Sequence, residues 1–389
     1  MKLKVIPEDF IVEELIDLPL SAKGRYTLLR LDKRLWNTLD VIGFLARQFS
    51  VSRNKFFRAG LKDRYSSSTQ YLSYDGTITK PVQEKNFTVI PLGRTQRPVS
   101  AAVLIGNRFT ITLRKLSVRD TAVVQKNADE VLEHGLPNYF DDQRFGSARH
   151  RKGFFARALM RGHYKGALKL LICYPHKEDS PLVKRFKTCC EQHWGEWHLC
   201  IQRVPREFRG VMRYLSEHPR AIKAALRHID PEYGNLYLLA YQSYLFNNMA
   251  GYLIEEYGVG KHTVPYLAGD LLFYRKLKNR RTVTHMRLPM ITHDLSLRIP
   301  EGKLVRSVLA EEDIRLKDFS LGTMRFRGIR FKQHWRTVIV QPHDLRILAA
   351  ESDDRYPGKQ KLTLCFALPP GSYATLVVKR LMFDDRAVD

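Results

Sequence analysis

The sequence contains 389 residues, of which 44% are hydrophobic and 27% are charged. This composition is typical of a globular protein and excludes collagen-like, low-complexity and largely disordered chains. The length predicts two or three domains. Lys and Arg number 65 against 40 Asp and Glu, so the net charge is +25. A charge of this size favours a polyanionic partner, and we expect nucleic acid rather than an anionic membrane.

The N-terminus and the cysteines indicate a cytoplasmic protein. Glu8, Asp9, Glu13 and Glu14 stand where a secretion signal would need an apolar core. No apolar run reaches the length of about 18 residues that a membrane span requires. The five cysteines are odd in number and irregularly spaced. We therefore expect a reducing compartment and no disulfide framework.

The first 150 residues show the pattern of a mixed α and β structure. Asn37 or Thr38 is a suitable cap for a helix through residue 49, and Asp120 begins a second helix that Gly135 ends. Alternating apolar residues predict strands at residues 10–12, 25–31, 69–74, 87–92 and 108–116.

The middle of the chain is mainly helical, and strands return near its end. The segment after Gly269 shows no clear periodicity. Because about 50 final residues cannot bury a core alone, we favour one α+β domain, built from both chain ends and interrupted by an insertion, over three domains in series. The pattern predicts helices at residues 154–173, 180–190, 205–227 and 236–257, strands at 336–340 and 361–368, and a last helix from Ser372 through 381.

Two segments resemble cofactor sites but do not fit them. Residues 258–263 are similar to part of a phosphate loop, but Glu255 replaces its first glycine and His262 replaces its Ser or Thr. Three cysteines and two histidines cluster between residues 189 and 200, with a spacing that matches no zinc motif. We interpret this cluster as buried structural residues, and we predict no metal and no cofactor.

Basic and aromatic residues alternate in segments 144–157 and 325–332. Cations bind phosphates, and aromatic rings and guanidinium groups stack on exposed bases. A basic segment can also be a solvated surface, but with the net charge we expect RNA contact. Arg149, Arg151 and Lys152 are the candidates for the RNA backbone.

The most distinctive segment is GLKDRYSSSTQ at residues 60–70, in which Asp63 lies between Lys62 and Arg64. The glycine and the small polar residues predict a loop, and the adjacent cations favour an ionised carboxylate. Such a carboxylate can act as a nucleophile or a proton acceptor. From composition alone, a surface Asp in a local ion pair is the favoured interpretation.

This segment resembles the catalytic motif of the TruD family of tRNA pseudouridine synthases, and four further motifs of that family occur in the same order. Together they extend from one end of the chain to the other, so the chain is identified as a member. The four motifs are PEDFIVEE at residues 7–14, PNYFDDQRFG at 137–146, AYQSYLFN at 240–247 and LPPGSYAT at 368–375.

The resemblance implies a fold and a reaction. The fold is an α+β catalytic domain with a mainly antiparallel sheet, formed by residues 1–155 and 336–389, with a family-specific insertion at 156–335. The reaction breaks the N1–C1′ bond of uridine, turns the uracil and rejoins it through C5, without a cofactor or a metal. Asp63 either attacks C1′ or removes a proton from C2′ to give a glycal.

The resemblance also implies roles for other residues. Asn138 contacts the target nucleotide, and Phe140 stacks on the flipped uracil. The remaining substrate-binding residues are Phe10 and Tyr373, both aromatic, and the basic Lys62 and Lys4, with Glu13 or Glu14 as an acidic partner.

One position departs from the family pattern, because Asp141 stands where the family usually has glycine. Glycine is favoured at a close backbone approach or a positive φ. Asp tolerates such a backbone better than most residues, so we expect the loop to be kept.

The resemblance implies uridine 13 in the D-arm of tRNA as the substrate. The alternatives are the same reaction at another RNA position and a non-catalytic RNA-binding protein that keeps the fold. A metal-dependent nuclease is disfavoured because the acidic pairs Asp141–Asp142 and Asp353–Asp354 form no recognisable ligand set. No protein partner is implied.

Overall fold

The structure is a computed structural model that describes residues 1–62, 65–324 and 326–384. It divides the chain into two compact units. Unit 1 comprises Met1–Leu136 and Val340–Asp389, and unit 2 comprises Pro137–Ile339. The chain thus leaves unit 1 once and returns to it once.

The secondary structure within the described ranges is numbered here in chain order. The strands are β1 (Phe10–Ile16), β2 (Tyr26–Arg34), β3 (Phe56–Arg58), β4 (Ser67–Asp75), β5 (Val82–Glu84), β6 (Phe87–Thr95), β7 (Leu104–Leu116), β8 (Leu136–Pro137), β9 (Gly258–Val259), β10 (His262–Tyr266), β11 (Gly269–Phe273), β12 (Lys276–Leu277), β13 (Arg287–Pro289), β14 (Trp335–Thr337), β15 (Ile339–Val340), β16 (His343–Ile347), β17 (Glu351–Ser352) and β18 (Gln360–Leu368). The α-helices are α1 (Thr38–Gln48), α2 (Val118–His134), α3 (Phe155–Met160), α4 (Tyr164–Ile172), α5 (Pro181–Gln192), α6 (Trp197–Cys200), α7 (Arg209–Glu217), α8 (Ile222–Ala225), α9 (Pro231–Tyr257), α10 (Arg280–His285), α11 (Gly302–Glu311) and α12 (Ala374–Leu381).

Unit 1 is built on one large mixed sheet with the strand order β16-β18-β7-β1-β4-β2-β6-β5, to which β17 and β3 add at the sides. Strands β1 and β4 are parallel, and the other pairs along this order are antiparallel. Strands from both chain ends share the sheet, because β18 pairs with β7. This confirms the predicted α+β class with a mainly antiparallel sheet built from both ends.

One face of the sheet carries the apolar side chains that form the core. On β1, Phe10 and Val12 point to this face, and so does Glu14, because side chains two apart share a face of a strand. Helix α1 covers the part of the face formed by β2 and β4. Helix α2 packs against β7, β18 and α12.

The strand register places polar residues of neighbouring strands next to one another on this face. Glu14 is opposite Asn107, and Asn107 is opposite Leu368. Two strands away, Lys33 is opposite Ser68. The apolar face of the sheet therefore becomes polar at one place, although α1 and α2 cover apolar residues on either side.

Unit 2 is assembled around α9, a helix of 27 residues. Its buried residues are not confined to one side, as expected for a helix in the centre of a core. Helices α3 and α11 and strands β11 and β13 pack against it. No helix within residues 1–62, 65–324 and 326–384 is long and apolar enough to cross a membrane.

Several elements differ from the pattern in the sequence. The predicted helix at 154–173 is two helices, α3 and α4, because Gly162 adopts φ +73° between them. The last helix has Tyr373 rather than Ser372 at its N-cap. The first unit boundary falls at Leu136–Pro137 instead of after residue 155, since the segment that follows Pro137 packs on α9.

Candidate active site

The chain is fixed at Lys62, the residue before Asp63. Asp63 and Arg64 themselves lie outside the described residues, as does Arg325 of the second basic segment. The backbone N–H of Lys62 donates to Thr38 Oγ1 at 3.4 Å. Its carbonyl accepts from Lys33 Nζ at 3.4 Å. The chain next to Asp63 is thus attached to α1 and β2.

Lys62 forms the centre of a buried ion pair. Its Nζ lies 2.8 Å from Glu14 Oε1 and donates to Asn107 Oδ1 at 2.7 Å. The Glu14 side chain is 0% exposed, and its second oxygen accepts from the backbone N–H of Tyr71 at 3.0 Å. Of the two glutamates proposed as acidic partners, Glu14 therefore pairs with Lys62. Glu13 pairs instead with Arg108, at 3.2 Å, where both side chains are about half exposed.

The polar side chains around Lys62 continue across the sheet. Thr38 donates its hydroxyl to Gln70 Oε1 at 2.6 Å, and both residues are buried. Lys33 and Ser68 are buried beside them on β2 and β4. We call Glu14, Lys33, Thr38, Lys62, Ser68, Gln70 and Asn107 the polar strip. Of these, only Lys62 and Glu14 were among the residues predicted from the sequence.

Burying such groups is unfavourable unless each is paired. The polar strip therefore contributes little to the stability of unit 1 in comparison with apolar residues of the same size. It does hold the two charges and the adjoining loop in fixed positions. That arrangement is suited to a site at which a carboxylate must keep one orientation next to a fixed cation.

The N-terminal segment places Lys4 and Phe10 together. Lys4 Nζ lies 4.1 Å from the centroid of the Phe10 ring, and this ring packs edge-on against Phe109 at 6.1 Å. Phe10 is buried in the described structure. Phe10, which we predicted to bind the substrate, is therefore also part of the core.

A buried arginine anchors this segment. The Asp9 carboxylate accepts from the backbone N–H groups of Val5 and Ile6, each at 3.1 Å. It also accepts from Arg114 Nε at 2.8 Å. The same guanidinium donates to Asp353 at 3.0 Å and to Asp354 at 2.8 Å. We call this group, formed from both chain ends, the arginine clasp.

Tyr373 follows the strand that ends at the polar strip. Leu368, the last residue of β18, is opposite Asn107. The backbone then turns, with Gly371 at φ +82°, and the half-buried Tyr373 is the N-cap of α12.

In unit 2, Asn247 of α9 holds the backbone of Phe140 on both sides. Its Oδ1 accepts from the Phe140 N–H at 2.8 Å, and its Nδ2 donates to the Phe140 carbonyl at 2.9 Å. The ring of Phe246 packs edge-on against that of Phe140 at 5.4 Å. Phe140 is 4% exposed. Its orientation is thus set by the AYQSYLFN motif, a function of this motif that was not inferred from the sequence.

Asn138 is held by β14. Its Nδ2 donates to both the carbonyl and the hydroxyl of Thr337, each at 3.1 Å. Asp141 has φ −102°, which is an ordinary extended conformation. The aspartate that replaces the family glycine is therefore accommodated without a positive φ.

The three cations proposed for the RNA backbone differ in their surroundings. Arg149 Nη1 lies 3.2 Å from Glu178 Oε2. Arg151 is exposed, adopts φ +55° and lines a cavity of about 530 Å³ together with Phe154 and Tyr244. Lys152 is exposed as well. Within the described ranges, neither Arg151 nor Lys152 has a carboxylate partner.

His150, between these cations, is partly buried. Burial lowers the pKa of its imidazole to about 4, and the nearby charge of Lys187 acts in the same direction. It is therefore neutral at physiological pH, although it lies in a basic segment.

The clustered cysteines are thiols. Cys189 Sγ and Cys200 Sγ are 3.0 Å apart, and no disulfide is formed. Burial raises the pKa of Cys173 and of Cys200 to about 12. Among residues 1–62, 65–324 and 326–384, no group of three His, Cys, Asp or Glu side chains has the arrangement of a metal site.

Comparison with known proteins identifies the chain's relatives. The family model described as tRNA pseudouridine synthase D (TruD) matches residues 1–381. A protein of Methanocaldococcus jannaschii assigned as tRNA pseudouridine synthase D 2 is 32% identical, over 98% of this chain and 91% of its own. The tRNA pseudouridine synthase D of Leptospira interrogans is 26% identical, over 99% and 96%.

A solved structure has a similar fold over almost the whole chain. It is the crystal structure of a protein of Methanosarcina mazei assigned as tRNA pseudouridine synthase D (TruD). The two chains are 25% identical and superpose with a TM-score of 0.69, over 98% of this chain and 93% of the other.

Proposed function

Because the chain belongs to the tRNA pseudouridine synthase D (TruD) family and is an isomerase of uridine in tRNA, we propose that its target is uridine 13 and that Asp63 is its catalytic residue. The observation that carries this proposal is the fixed position of Lys62 in the GLKDRYSSSTQ motif. Lys62, the residue before Asp63, is bound to Glu14 and Asn107. The residue that precedes the proposed catalytic aspartate is thereby held in one position.

The reaction needs no redox step and no phosphate transfer. The N1–C1′ bond of uridine breaks, the uracil turns, and a C5–C1′ bond forms while the proton on C5 is lost and N1 becomes protonated. Asp63 either forms a bond to C1′ that breaks again when C5 bonds to C1′, or accepts the proton of C2′ and returns it once the C5–C1′ bond has formed. In both routes the ionised carboxylate is the form that reacts. We propose that no metal or cofactor takes part.

We further propose that unit 1 is the catalytic domain and that unit 2 is the family-specific insertion. Unit 1 contains the polar strip together with Lys4, Phe10 and Tyr373, which we assign to substrate binding. Unit 2 contributes Asn138 to the nucleotide and Phe140 to the flipped uracil. Because the Phe140 ring is largely covered, stacking requires that its neighbours open. We place the enzyme in the cytoplasm, with tRNA as its only assigned partner.

The direct test is to incubate the protein with unmodified tRNA and to map pseudouridine at single-nucleotide resolution. We expect it at position 13. Modification at another position would retain the reaction and change the substrate assignment. Absence of pseudouridine at every position would instead support an RNA-binding protein without activity.

The first prediction concerns Asp63. Asp63→Asn should abolish pseudouridine formation, because the amide can neither attack C1′ nor accept a proton. The affinity for tRNA should stay within about tenfold, which is ~1.4 kcal/mol. Asp17→Asn, which replaces an exposed aspartate of the same unit, is the matched control. Turnover by Asp63→Asn above a few per cent of the normal rate would remove Asp63 from the mechanism.

The second prediction concerns the RNA backbone. Replacing Arg149, Arg151 and Lys152 with Ala should weaken tRNA binding and flatten its dependence on salt, since each neutralised phosphate releases counterions. KM should rise more than kcat falls, because phosphate contacts persist throughout the reaction.

Arg149→Ala alone is the control, because Glu178 already neutralises this cation. It should change the salt slope less than the Arg151→Ala, Lys152→Ala double variant. An unchanged slope in the triple variant would mean that the RNA path lies elsewhere.

A further inference from the structure

Arg336 is a buried residue of β14 whose guanidinium faces the NYF segment of unit 2. Only 9% of it is exposed. Its Nε donates to the carbonyl of Asn138 at 2.8 Å, and its Nη2 donates to Asn138 Oδ1 at 2.6 Å and to the carbonyl of Tyr139 at 3.1 Å. One side chain thus binds both the backbone and the amide of Asn138.

The same guanidinium lies over the ring of Phe140. Its Cζ is 4.2 Å from the centroid of this ring and 5.6 Å from that of Phe246. A planar cation at this distance is attracted to the ring face and favours one orientation of the ring. The contacts of Arg336 therefore include both Asn138 and Phe140, the two residues of unit 2 that we assigned to the target nucleotide.

The strand that carries Arg336 is itself fixed. Arg336 is opposite Leu288 in the pair of β13 and β14. On the other side, the backbone N–H of Asn138 donates to the Val338 carbonyl at 2.7 Å. Asn138 is thus connected to three successive residues, Arg336 and Thr337 of β14 and Val338, which follows it. Its amide has its oxygen on Arg336 and its nitrogen on Thr337.

We infer that Arg336 is a positioning residue of the isomerase, which acts through Asn138 and Phe140. It fixes the orientation of the Asn138 amide, with the oxygen towards Arg336. It also fixes the plane of the Phe140 ring before the uridine binds. This inference rests on the proposed function, because it requires that Asn138 and Phe140 contact the nucleotide. Lysine cannot replace arginine here, since an ammonium group lacks the planar set of donors that reaches three acceptors while it covers a ring.

The test is Arg336→Lys, measured by single-turnover pseudouridine formation, by tRNA affinity and by thermal unfolding. We expect the rate to fall by about 100-fold, the size of effect that a small misplacement of a reacting group causes. The Kd for tRNA should change by less than about threefold, because the contacts to phosphates remain.

Two measurements separate positioning from mere support of the fold. Arg380→Lys removes another guanidinium with no exposed surface, which pairs with Glu130 in unit 1. It should lower the unfolding temperature and leave the rate normal when the protein is folded. In a double-mutant cycle, Arg336→Lys and Asn138→Ala should be strongly non-additive, because the first acts through the second.

Thr337→Val provides a second route if Arg336→Lys does not fold. Thr337 is exposed, so the substitution is mild, but it removes one of the two acceptors of the Asn138 amide. A severalfold slower single-turnover rate with normal tRNA affinity is expected. A normal rate in a folded Arg336→Lys variant would overturn the inference, as would a normal rate for Thr337→Val where Arg336→Lys does not fold.

Asp63→Asn, assayed in parallel, distinguishes the two proposals. If it is inactive and Arg336→Lys is normal, the assignment of Arg336 alone fails. If Asp63→Asn is active, the proposed function fails and the inference with it.

Discussion

The residues next to Asp63 in unit 1 and those around Phe140 in unit 2 are held by different kinds of interaction. In unit 1, the loop next to Asp63 is held by a buried ion pair between Lys62 and Glu14. In unit 2, the backbone of Phe140 is held by the neutral amide of Asn247. Both sets of contacts are buried, but only the first places a carboxylate and an ammonium group together out of water.

This difference indicates a division of labour. A buried ion pair adds little net stability, because the cost of desolvation offsets the attraction, so the pair in unit 1 serves mainly to hold Lys62 in one position. A neutral amide that pairs two backbone groups satisfies hydrogen bonds that would otherwise be lost. Unit 1 therefore holds Lys62 through charge, whereas unit 2 holds the Phe140 backbone through neutral hydrogen bonds.

The strongest way to break this comparison is to remove one partner of the ion pair. Glu14→Gln should lower the free energy of unfolding by about 3 kcal/mol or more, since it leaves Lys62 as an uncompensated buried charge. It should also abolish activity. Chemical denaturation and pseudouridine mapping measure the two effects.

Glu13→Gln is the matched control, because this neighbouring glutamate forms only an exposed pair with Arg108. Its loss should cost less than about 1 kcal/mol. Replacing both members of the buried pair, as Glu14→Leu with Lys62→Met, should restore much of the stability but none of the activity. Recovery of activity in that double variant would show that the charges have no part in the reaction.

The corresponding change in unit 2 is Asn247→Ala. It leaves the N–H and the carbonyl of Phe140 without their partner and should cost about 2 kcal/mol in the free energy of unfolding. The single-turnover rate should fall while tRNA affinity is kept, because the Phe140 ring loses its fixed position.

Asn248→Ala, at the next position of α9, serves as the control. Asn248 is only partly buried, so its replacement should change the rate and the stability much less. Equal effects of the two substitutions would mean that α9 tolerates neither change and that Asn247 has no special role.

The smallest effect concerns pH. Burial lowers the pKa of His150 to about 4 in the folded protein, and the charges of Lys187 and His176 act in the same direction. The charge of Asp179 opposes this lowering. The His150 imidazole is therefore protonated near pH 6.5 in the unfolded chain, but only near pH 4 in the folded protein. Stability due to this residue is complete above pH 6.5 and is lost progressively as the pH falls towards 4.

We expect a loss of about 0.5 to 1 kcal/mol between pH 7.5 and 5.5, reduced by the solvent that reaches part of the ring. Denaturation midpoints at several pH values measure it. His150→Asn should flatten this slope, whereas replacement of the exposed His163 should leave it unchanged. The same slope in both variants would assign the pH dependence to other groups.

The sequence predicted the parts of the fold that local patterns determine. Helix α2 is an example: its end at Gly135, which adopts φ +67°, was predicted. Its start was placed at Asp120, but Ser117 is the N-cap and Asp120 closes a capping box three residues later. Helices α3 and α4 were missed as separate elements because one glycine interrupts an otherwise helical pattern.

The polar strip shows why the rest could not be predicted. Glu14 and Asn107 are 93 positions apart in the chain and meet only because β1 and β7 pair in one register. Each of these strands does show a sequence pattern that points to the site, because its alternating inward-facing apolar residues are flanked at one end by an inward-facing polar residue. That pattern has meaning only when the strand order is known. The same applies to Arg336, whose partners lie almost two hundred residues earlier.

The arginine clasp has a consequence for folding of the chain during translation. Arg114 and Asp9 precede unit 2 in the chain, but Asp353 and β18 follow it. Unit 2 is translated completely before them. A nascent chain that stops at residue 339 thus contains all of unit 2 and a unit 1 with an open sheet edge at β7, which is a ready template for aggregation. The sheet of unit 1 is therefore completed only after unit 2 has been translated.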